Sequence, residues 1–269
     1  RQRQMCIRDS TIRNYIMAES LEQAWELNQK GRNNVIIGGN LWLKMGNRNI
    51  LNAIDLSTLG LDRIEEDESG FRIGCMATLR DIEMHEGLNK EFQNLFKEAV
   101  RHIVGVQFRN CATVGGSIFP KLGFSDVLTA FLACDTQVIL YKKGEVSLRE
   151  FIYMPLDNDI LTHIYVKKDG RKTAYESFRM TETDFPTLTC AMAMVDGRFE
   201  TVLGARPKHA EVVIDEELAD SLSKEDVASY AKRVIDKLQY GSNIRGSKQY
   251  RKQLSKVLIS RCISRLTEE

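Results

Sequence analysis

Two adjacent glycine pairs, Gly38-Gly39 and Gly115-Gly116, constrain the fold of this chain more than any other feature of its sequence. The first pair follows a short apolar run at 35–37, and the second sits in the sequence ATVGGSI. Glycine has no Cβ, so the backbone can turn sharply there and another group can approach it closely. Where such a loop opens into a helix, successive amides converge on an anion. The pairs therefore favour two αβ units whose loops hold phosphate, although a simple turn is the alternative for each loop taken alone.

The residues around both glycine pairs depart from the common nucleotide-binding fingerprints. Neither loop has the GxGxxG pattern of dinucleotide-binding βαβ units or the GxxxxGK[ST] pattern of P-loops. Because the two loops lie in separate αβ units, we expect two lobes that close on one pyrophosphate.

Composition excludes several classes of protein. The chain has 269 residues, of which 43% are hydrophobic, and a formal net charge of +1. That length provides for one large domain or two to three small ones. The near-neutral charge argues against a nucleic-acid-binding protein, which typically carries a strongly basic face. No apolar run reaches the ~18 residues of a membrane span, so no such span is expected.

The six cysteines are scattered, with no CxxC pair and no matched Cys/His spacing. This pattern provides no iron–sulfur or zinc framework and is typical of reduced thiols in a cytoplasmic protein. The four histidines lack any i, i+4 partner, so we interpret them as surface or packing residues. No Ser/His/Asp or Cys/His motif is present, and the sequence predicts no catalytic residue and no metal site in this chain.

The first ten residues, RQRQMCIRDS, differ in character from the rest of the chain. They have neither the apolar core nor the amphipathic Arg/Ser pattern of a targeting peptide. They resemble the in-frame translation of a sequencing adaptor. We therefore expect residues 1–10 to be a non-native tail.

The hydrophobic pattern predicts an αβ unit at about 11–64. A helix behind the cap Ser20 precedes its first strand, VII, and ILNAIDLSTL forms its second strand. A helix is predicted to begin near Thr78, and NKEFQNLFKEAVRHIV to form one continuous amphipathic helix. SDVLTAFLACD is predicted to form another helix, with Ser125 or Asp126 near its start.

Two aspartate–glycine pairs indicate turns in the second half of the chain. DILTHIYV and KTAYESFRM are predicted as antiparallel strands around Asp169-Gly170. Two further strands surround Asp196-Gly197, a dipeptide typical of type I′ hairpins. The character of the sequence changes near 168–172, where we place a domain boundary.

The stretch that begins at Tyr230 carries ten Lys or Arg residues and three acidic residues. A basic helix of this kind is found on membrane surfaces and on RNA. We favour a solvated helix face, with the apolar side chains of Leu254, Val257, Leu258 and Ile263 packed inward. Docking of an acidic partner subunit is a further alternative.

The order of the segments VIIGGNLWLKM, RIGCMATLRDIE, VGVQFRNCATVGGSI and FSDVLTAFLACDTQVIL resembles the FAD-binding (medium) subunit of the molybdenum hydroxylases. This family includes the flavoprotein subunits of xanthine dehydrogenase and carbon monoxide dehydrogenase. Its pattern has a first loop near AGGTDL and a second block, RN.AT.GGN, followed by a Ser/Ala-Asp pair. The later segment AYESFRMTETDFPTLTCAMAMV resembles the C-terminal flavoprotein domain of the family, so the resemblance covers about residues 11–265.

The resemblance implies an α+β fold of two parts. Residues 11–170 would form a two-lobed FAD-binding domain of the PCMH or vanillyl-alcohol-oxidase type, with lobes at about 11–64 and 65–170. Residues 171–269 would form a small C-terminal domain like that of the carbon monoxide dehydrogenase flavoprotein, with three strands and helices.

The resemblance also implies which residues bind FAD. Residues 36–41 would form the first pyrophosphate loop, and the amides and the threonine hydroxyl of 112–117 would form the second. Asp126 would hold ribityl or ribose hydroxyls, and Leu161 or its neighbour Ile160 would touch a ring of the cofactor. The complete set is Ile36, Ile37, Gly38, Gly39, Asn40, Leu41, Ile103, Val104, Ala112, Thr113, Gly115, Gly116, Ser117, Asp126 and Leu161. Because neither loop contains His, Cys or Tyr, we expect the FAD to be bound non-covalently.

The sequence departs from the family pattern at three places. Ser117 stands where Asn is usual, and Asn40-Leu41 replaces Thr followed by an acidic residue. Many members have a Lys at the position of Glu176 or Ser177, where it approaches the flavin. Neither residue is basic here, which puts the redox tuning of the flavin in question.

The function implied by the resemblance is electron transfer within a larger complex. Electrons from a molybdenum centre would pass through iron–sulfur clusters to this FAD and then to NAD or another acceptor. The molybdopterin and the [2Fe-2S] clusters would reside on partner subunits, with the complex in the cytoplasm. Two alternatives are a free-standing FAD-dependent reductase or oxidase, and a scaffold subunit without FAD.

Overall fold

The computed structural model of the chain describes residues 10–215 and 223–267. The predicted non-native tail, except for its last residue, lies outside these residues. The described strands form three separate sheets, one parallel and two antiparallel, with helices packed on them, which confirms the α+β class.

The first sheet is parallel, and its second strand leads into the first glycine pair. Its strand order is β1-β3-β2, with β1 (Thr11–Met17), β2 (Asn34–Ile37) and β3 (Asn49–Asp55). Its helical segments are α1 (Leu21–Gln29), α2 (Leu41–Lys44) and a 3-10 turn (Ser57–Leu59). The predicted cap of α1 is confirmed, because the Ser20 hydroxyl accepts a hydrogen bond from the Gln23 amide at 3.1 Å. The sequence prediction missed β1, so the strand that ends at Gly38 is the second strand of this unit and not the first.

The second sheet is antiparallel, and the helices around the second glycine pair pack on it. Its strand order is β4-β5-β8-β6-β7, with β4 (Ile64–Glu66), β5 (Gly70–Gly74), β6 (Thr136–Leu140), β7 (Gly144–Ser147) and β8 (Leu161–Lys167). The helices described in this part are α3 (Leu79–Met84), α4 (Glu86–Glu91), α5 (Leu95–Val100), α6 (Val106–Arg109), α7 (Val114–Ile118), α8 (Asp126–Leu132) and α9 (Leu148–Phe151). Two predicted starts are confirmed: Thr78 forms a capping box with Asp81 at α3, and Ser125 caps α8.

The prediction of one continuous helix over NKEFQNLFKEAVRHIV is wrong. The chain forms α4 and α5 there, because Gln93 and Asn94 between them adopt left-handed backbone angles, with φ of 45° and 63°. Left-handed residues interrupt a right-handed helix. Phe92 and Phe96 on either side of the break pack edge to face in the main hydrophobic core, with ring centroids 5.5 Å apart.

The third sheet is antiparallel and belongs to the C-terminal part of the chain. Its strand order is β12-β11-β10-β9, with β9 (Lys172–Arg179), β10 (Pro186–Val195), β11 (Arg198–Gly204) and β12 (Glu211–Ile214). Helix α11 (Lys248–Thr267) packs on β9 and β10, and α10 (Lys224–Lys237) packs on α11. The described sheet has four strands rather than the expected three, because Glu211–Ile214 forms the further strand β12. The type I′ prediction agrees with the positive φ of Asp196 and Gly197, 49° and 74°.

The predicted hairpin around Asp169-Gly170 is also wrong. Strand β8 pairs with β5 and β6, whereas β9 pairs with β10, so the chain passes from one sheet to another at this turn. The buried Arg171 side chain fixes the crossing, because it binds the Asp169 carboxylate and donates to the Ala133 carbonyl at 2.6 Å. The change of sheet falls at 168–172, and the domain boundary there stays a prediction.

Helix α11 buries one side in the C-terminal core, which contains Leu258 and Ile263, while Leu254 is partly buried against it. Val257 is 46% exposed, so its predicted inward packing is wrong. No helix within residues 10–215 and 223–267 is both long enough and apolar enough to cross a membrane. The five cysteines in the described part of the chain are free thiols.

Candidate flavin site

The first glycine pair lies against the residues that immediately precede the second pair. A Cβ on Gly38 would overlap the Thr113 hydroxyl, and a Cβ on Gly39 would overlap the Cys111 carbonyl. None of the four paired glycines has φ in the left-handed region. The first pair is therefore required by the close approach of two backbones and not by a special turn conformation. The structure brings together the two loops that the sequence singled out.

The first loop presents hydrogen-bonding groups that the rest of the protein does not use. The amides of Gly38, Gly39 and Asn40 donate to no other group among the residues that the structure describes. Asn40 has φ of 56°, and its Oδ1 is buried without a hydrogen-bond partner. Such orphaned atoms are rare in folded proteins. The first loop thus offers three donors and one acceptor to a ligand.

The second loop is built differently, because it forms the first turn of α7. Thr113 is the N-cap, and its hydroxyl accepts a hydrogen bond from the Gly116 amide at 3.2 Å. The Gly115 amide donates to the Cys75 carbonyl at 2.9 Å, and the Ser117 amide donates to the Thr113 carbonyl at 3.1 Å. The Ser117 hydroxyl also donates to that carbonyl, at 2.9 Å. The amides of 115–117 are thus hydrogen-bonded within the protein, and the assignment of 112–117 to the pyrophosphate stays a prediction. The hydroxyl hydrogen and the amide of Thr113 donate to no group in the described part of the chain, so this loop can offer them to a ligand.

The segment Ile103-Val104 is held beside α3 by a buried ion pair. Arg109 binds both carboxylate oxygens of Glu83, at 2.8 and 3.1 Å, and donates to the Ile103 carbonyl at 3.3 Å. Burial raises the pKa of Glu83, but the hydrogen bonds from Arg109 and Arg80 bring it below its usual value. Val104 has φ of 50°, an unfavourable angle for a β-branched residue. Strain of this kind is concentrated at ligand sites.

Asp126 lies buried at the start of α8 and is bound by side chains of the C-terminal sheet. Its Oδ1 accepts hydrogen bonds from the Tyr175 hydroxyl at 2.5 Å and from Arg179 Nη2 at 2.6 Å. Burial raises the pKa of Asp126, and Arg179 and Tyr175 oppose that shift. The Ser125 hydroxyl donates to the Ser117 carbonyl at 3.0 Å, so Asp126 is one residue from a contact with the second loop. The assignment of Asp126 to cofactor hydroxyls stays a prediction.

Strand β9 contains Glu176 and Ser177, the two positions at which many family members have a lysine. Side chains alternate along a strand, and Tyr175, Ser177 and Arg179 share the face that meets Asp126. Arg179 Nη1 donates to the Ser177 hydroxyl at 2.5 Å. Glu176 points to the other face, where its carboxylate pairs with Arg265 of α11 at 2.6 Å. The cation on the Asp126 side of β9 is therefore Arg179, which the sequence interpretation missed. The alternation of side chains in the segment YESFR could have indicated that Tyr175, Ser177 and Arg179 share one face of the strand.

The apolar residues assigned to the site lie behind or beside the loops. Ile37 is buried with the core of the first sheet, and Ile36 and Leu41 are partly exposed next to it. Leu161 and Ile160 are buried in the main core, where β8 packs against α7. Ala112, at the base of the second loop, accepts a hydrogen bond from an α3 amide at 2.8 Å.

Three aromatic rings stand next to the first loop. Trp42 of α2 lies 5.6 Å from Phe124 and 5.1 Å from Phe185, measured between ring centroids, and the two phenylalanines are 4.5 Å apart. Phe124, Phe185, Lys208 and Arg245 line part of a cavity of about 420 Å³. The sequence interpretation did not identify this aromatic wall, because its members come from three distant segments.

These groups fit FAD. The unused amides suit a pyrophosphate, the buried Asn40 Oδ1 suits a hydroxyl donor, and the aromatic rings suit a planar ring system. No cluster of three or more His, Cys, Asp or Glu side chains suited to a metal ion occurs within the described residues.

Comparison with known proteins supports this interpretation. Residues 9–166 match the family model described as the FAD binding domain in molybdopterin dehydrogenase. The chain is 26% identical over 267 residues to the glyceraldehyde dehydrogenase medium chain of Sulfolobus acidocaldarius, covering 91% of this chain and 94% of that one. It is 23% identical over 286 residues to the 6-hydroxypseudooxynicotine dehydrogenase complex subunit alpha of Paenarthrobacter nicotinovorans, covering 93% of each.

Among solved structures, the fold is similar to a chain of the carbon monoxide dehydrogenase of Hydrogenophaga pseudoflava. The TM-score is 0.84 at 23% identity, and the match covers 95% of this chain and 97% of that one. At this level of identity the likeness establishes the fold.

Proposed function

Because this chain belongs to the family of FAD-binding domains in molybdopterin dehydrogenases, we propose that it is the electron-transfer subunit of a molybdenum hydroxylase complex. The direct contact between the two glycine-paired loops, with three unused amides on one of them, is the observation that carries this proposal. When bound, FAD supplies the exchange of electrons between one-electron and two-electron partners.

Each part of the site has a role in this proposal. The amides of Gly38, Gly39 and Asn40, with the Thr113 hydroxyl, would bind the pyrophosphate. Ile103 and Val104 would pack near the cofactor, and Leu161 would support the site from the core. Asp126 would hold cofactor hydroxyls through its second carboxylate oxygen.

The electron route is also part of the proposal. The complex would be xanthine dehydrogenase-like, with electrons reaching FAD from iron–sulfur clusters and leaving to NAD or another acceptor. The molybdopterin and the clusters would belong to two partner subunits, because the scattered cysteines of this chain provide no cluster framework. The same free thiols favour a cytoplasmic complex.

The first experiment measures the flavin of the purified chain. We expect one FAD per chain, released to the supernatant by acid precipitation, because the binding is non-covalent. Colour that stays in the pellet would contradict non-covalent binding. A chain that neither retains nor takes up FAD would support the scaffold alternative.

The second experiment separates an electron-transfer subunit from a self-sufficient flavoenzyme. Purines and aldehydes should reduce the isolated flavoprotein slowly or not at all, whereas NADH or dyes have direct access to its flavin. Adding the molybdenum and iron–sulfur subunits should restore reduction that depends on the substrate. Rapid reduction of the isolated chain by a hydroxylase substrate would favour the free-standing enzyme.

A further inference from the structure

Two buried side-chain atoms within residues 10–215 and 223–267 have no hydrogen-bond partner: Asn40 Oδ1 and Arg179 Nε. One is an acceptor and the other is a donor. Leaving such an atom unpaired in the interior destabilises the folded protein. Both atoms are associated with the glycine-paired loops, since Asn40 follows the first pair and Arg179 is bound to the start of the helix after the second.

The surroundings of Arg179 place it at the junction of the site with the C-terminal sheet. Its side chain is 6% exposed, and its two terminal nitrogens are fixed by Asp126 and Ser177. Burial, and then the charges of Arg101 and Arg179, lower the pKa of His102, which adjoins the Ile103-Val104 segment. Arg179 therefore joins the start of α8 to strand β9. Both terminal nitrogens of the guanidinium are held, and Nε is the nitrogen that is buried without a partner.

We propose that Arg179 is a cofactor-binding residue, and that Arg179 Nε and Asn40 Oδ1 bind hydroxyl-bearing parts of FAD. A hydroxyl both donates and accepts, so the sugar-like chains of FAD satisfy a donor on one side and an acceptor on the other. The inference rests on the proposed function, because it needs FAD as the ligand. It adds a contact from strand β9, beyond the 9–166 segment that matches the family model.

This arrangement makes FAD a link between the first loop and the C-terminal sheet. Arg179 also provides a fixed positive charge on the face of β9 that carries Ser177, one of the two positions where many family members have a lysine. Arginine suits this role better than lysine, because its planar group keeps one N–H free while two other nitrogens are held by the protein.

The test compares FAD affinity among full-length variants whose cofactor has been removed and is then titrated back. Arg179→Lys keeps the charge but loses Nε, and we expect affinity to fall about 3- to 10-fold, the effect of one hydrogen bond. Arg179→Met removes the charge as well and should weaken binding by more than about 10-fold. Asn40→Ala should resemble Arg179→Lys.

Arg265→Gln is the matched control, because Arg265 contacts β9 from the opposite face through Glu176 and the Tyr175 carbonyl. We expect this variant to bind FAD like the unmodified chain. The rise in melting temperature on adding FAD provides a second readout. It should shrink in the Arg179 variants and stay unchanged in Arg265→Gln, which a purely structural role for Arg179 does not explain.

The outcomes are distinct. If the unmodified chain binds FAD and Arg179→Lys binds it equally well, the inference about Arg179 is wrong while the proposed function stands. Arg179→Lys gives this answer even if Arg179→Met does not fold. If the unmodified chain does not bind FAD at all, the proposed function fails and the inference fails with it.

Discussion

The first and second loops contain the same dipeptide but use it in different ways. Gly38-Gly39 follows a parallel strand and leaves its amides without partners, whereas Gly115-Gly116 lies in the first turn of a helix whose N-cap and neighbours already bind its amides. In the first loop, the absence of a Cβ lets the backbone touch the carbonyl of Cys111. In the second loop, Gly115 is buried against Cys75 and Gly116 is exposed.

The difference shows that the two Gly-Gly loops have different roles. The first loop supplies hydrogen-bond donors for an anion, and the second supplies a rigid surface that fixes the first. Thr113 connects the two roles, because its hydroxyl caps α7 and also faces Gly38. Substitutions in the two loops should therefore have different effects on FAD binding and on stability.

Gly39→Ala should have the largest effect, because the new Cβ would meet backbone atoms that cannot move aside. We expect loss of FAD from the purified chain and a free energy of unfolding lower by about 1–3 kcal/mol, as for overpacking in a core. Flavin absorbance and chemical denaturation measure the two effects. Gly31→Ala is the control, since nothing lies within 4 Å of a Cβ at that position. FAD retention by Gly39→Ala equal to that of the control would show that the loops do not need to touch.

Thr113→Val should have an intermediate effect on both properties. It removes the hydroxyl that accepts the Gly116 amide hydrogen, so we expect a loss of about 0.5–2 kcal/mol in unfolding free energy, as for other N-cap residues. FAD affinity, measured by titration, should fall as well, because the same hydroxyl is the side-chain donor of this loop. Thr113→Ser keeps the hydroxyl and should preserve affinity. A Thr113→Val variant that is destabilised but binds FAD normally would show that Thr113 caps α7 and does not contribute to FAD binding.

Ser117→Ala should have the smallest effect. The Ser117 hydroxyl already donates to the Thr113 carbonyl, so its removal should change FAD affinity by less than about 3-fold. The measurement is the same titration. A loss of 10-fold or more would show that Ser117 turns outward to the cofactor and that the second loop supplies donors after all.

Local chemistry explains which structural features the sequence predicted. The caps at Ser20, Thr78 and Ser125 depend on neighbours within four residues, and all three were found. The short strand before Gly38 was recognised from its apolar run and the glycine pair. The β1 strand was missed, because its side chains are mostly exposed and show no alternation of apolar and polar residues.

Long-range contacts explain what the sequence did not predict. The hairpin at Asp169-Gly170 had suitable turn residues, but β8 and β9 find their partners in different sheets. The roles of Asp126 and Arg179 depend on a contact across 53 residues of sequence. The amides of the second loop bond to the protein itself because Thr113 caps α7. The family pattern alone did not reveal this cap.

Hydrogen–deuterium exchange of the chain with and without FAD tests the division between the loops most directly. Amides without partners exchange quickly, and a ligand that binds them slows that exchange. We predict strong protection by FAD in peptides that contain residues 38–40, and little additional protection in peptides that contain residues 115–117, which are already hydrogen-bonded. Equal protection of both loops, or protection of the second loop alone, would contradict the account.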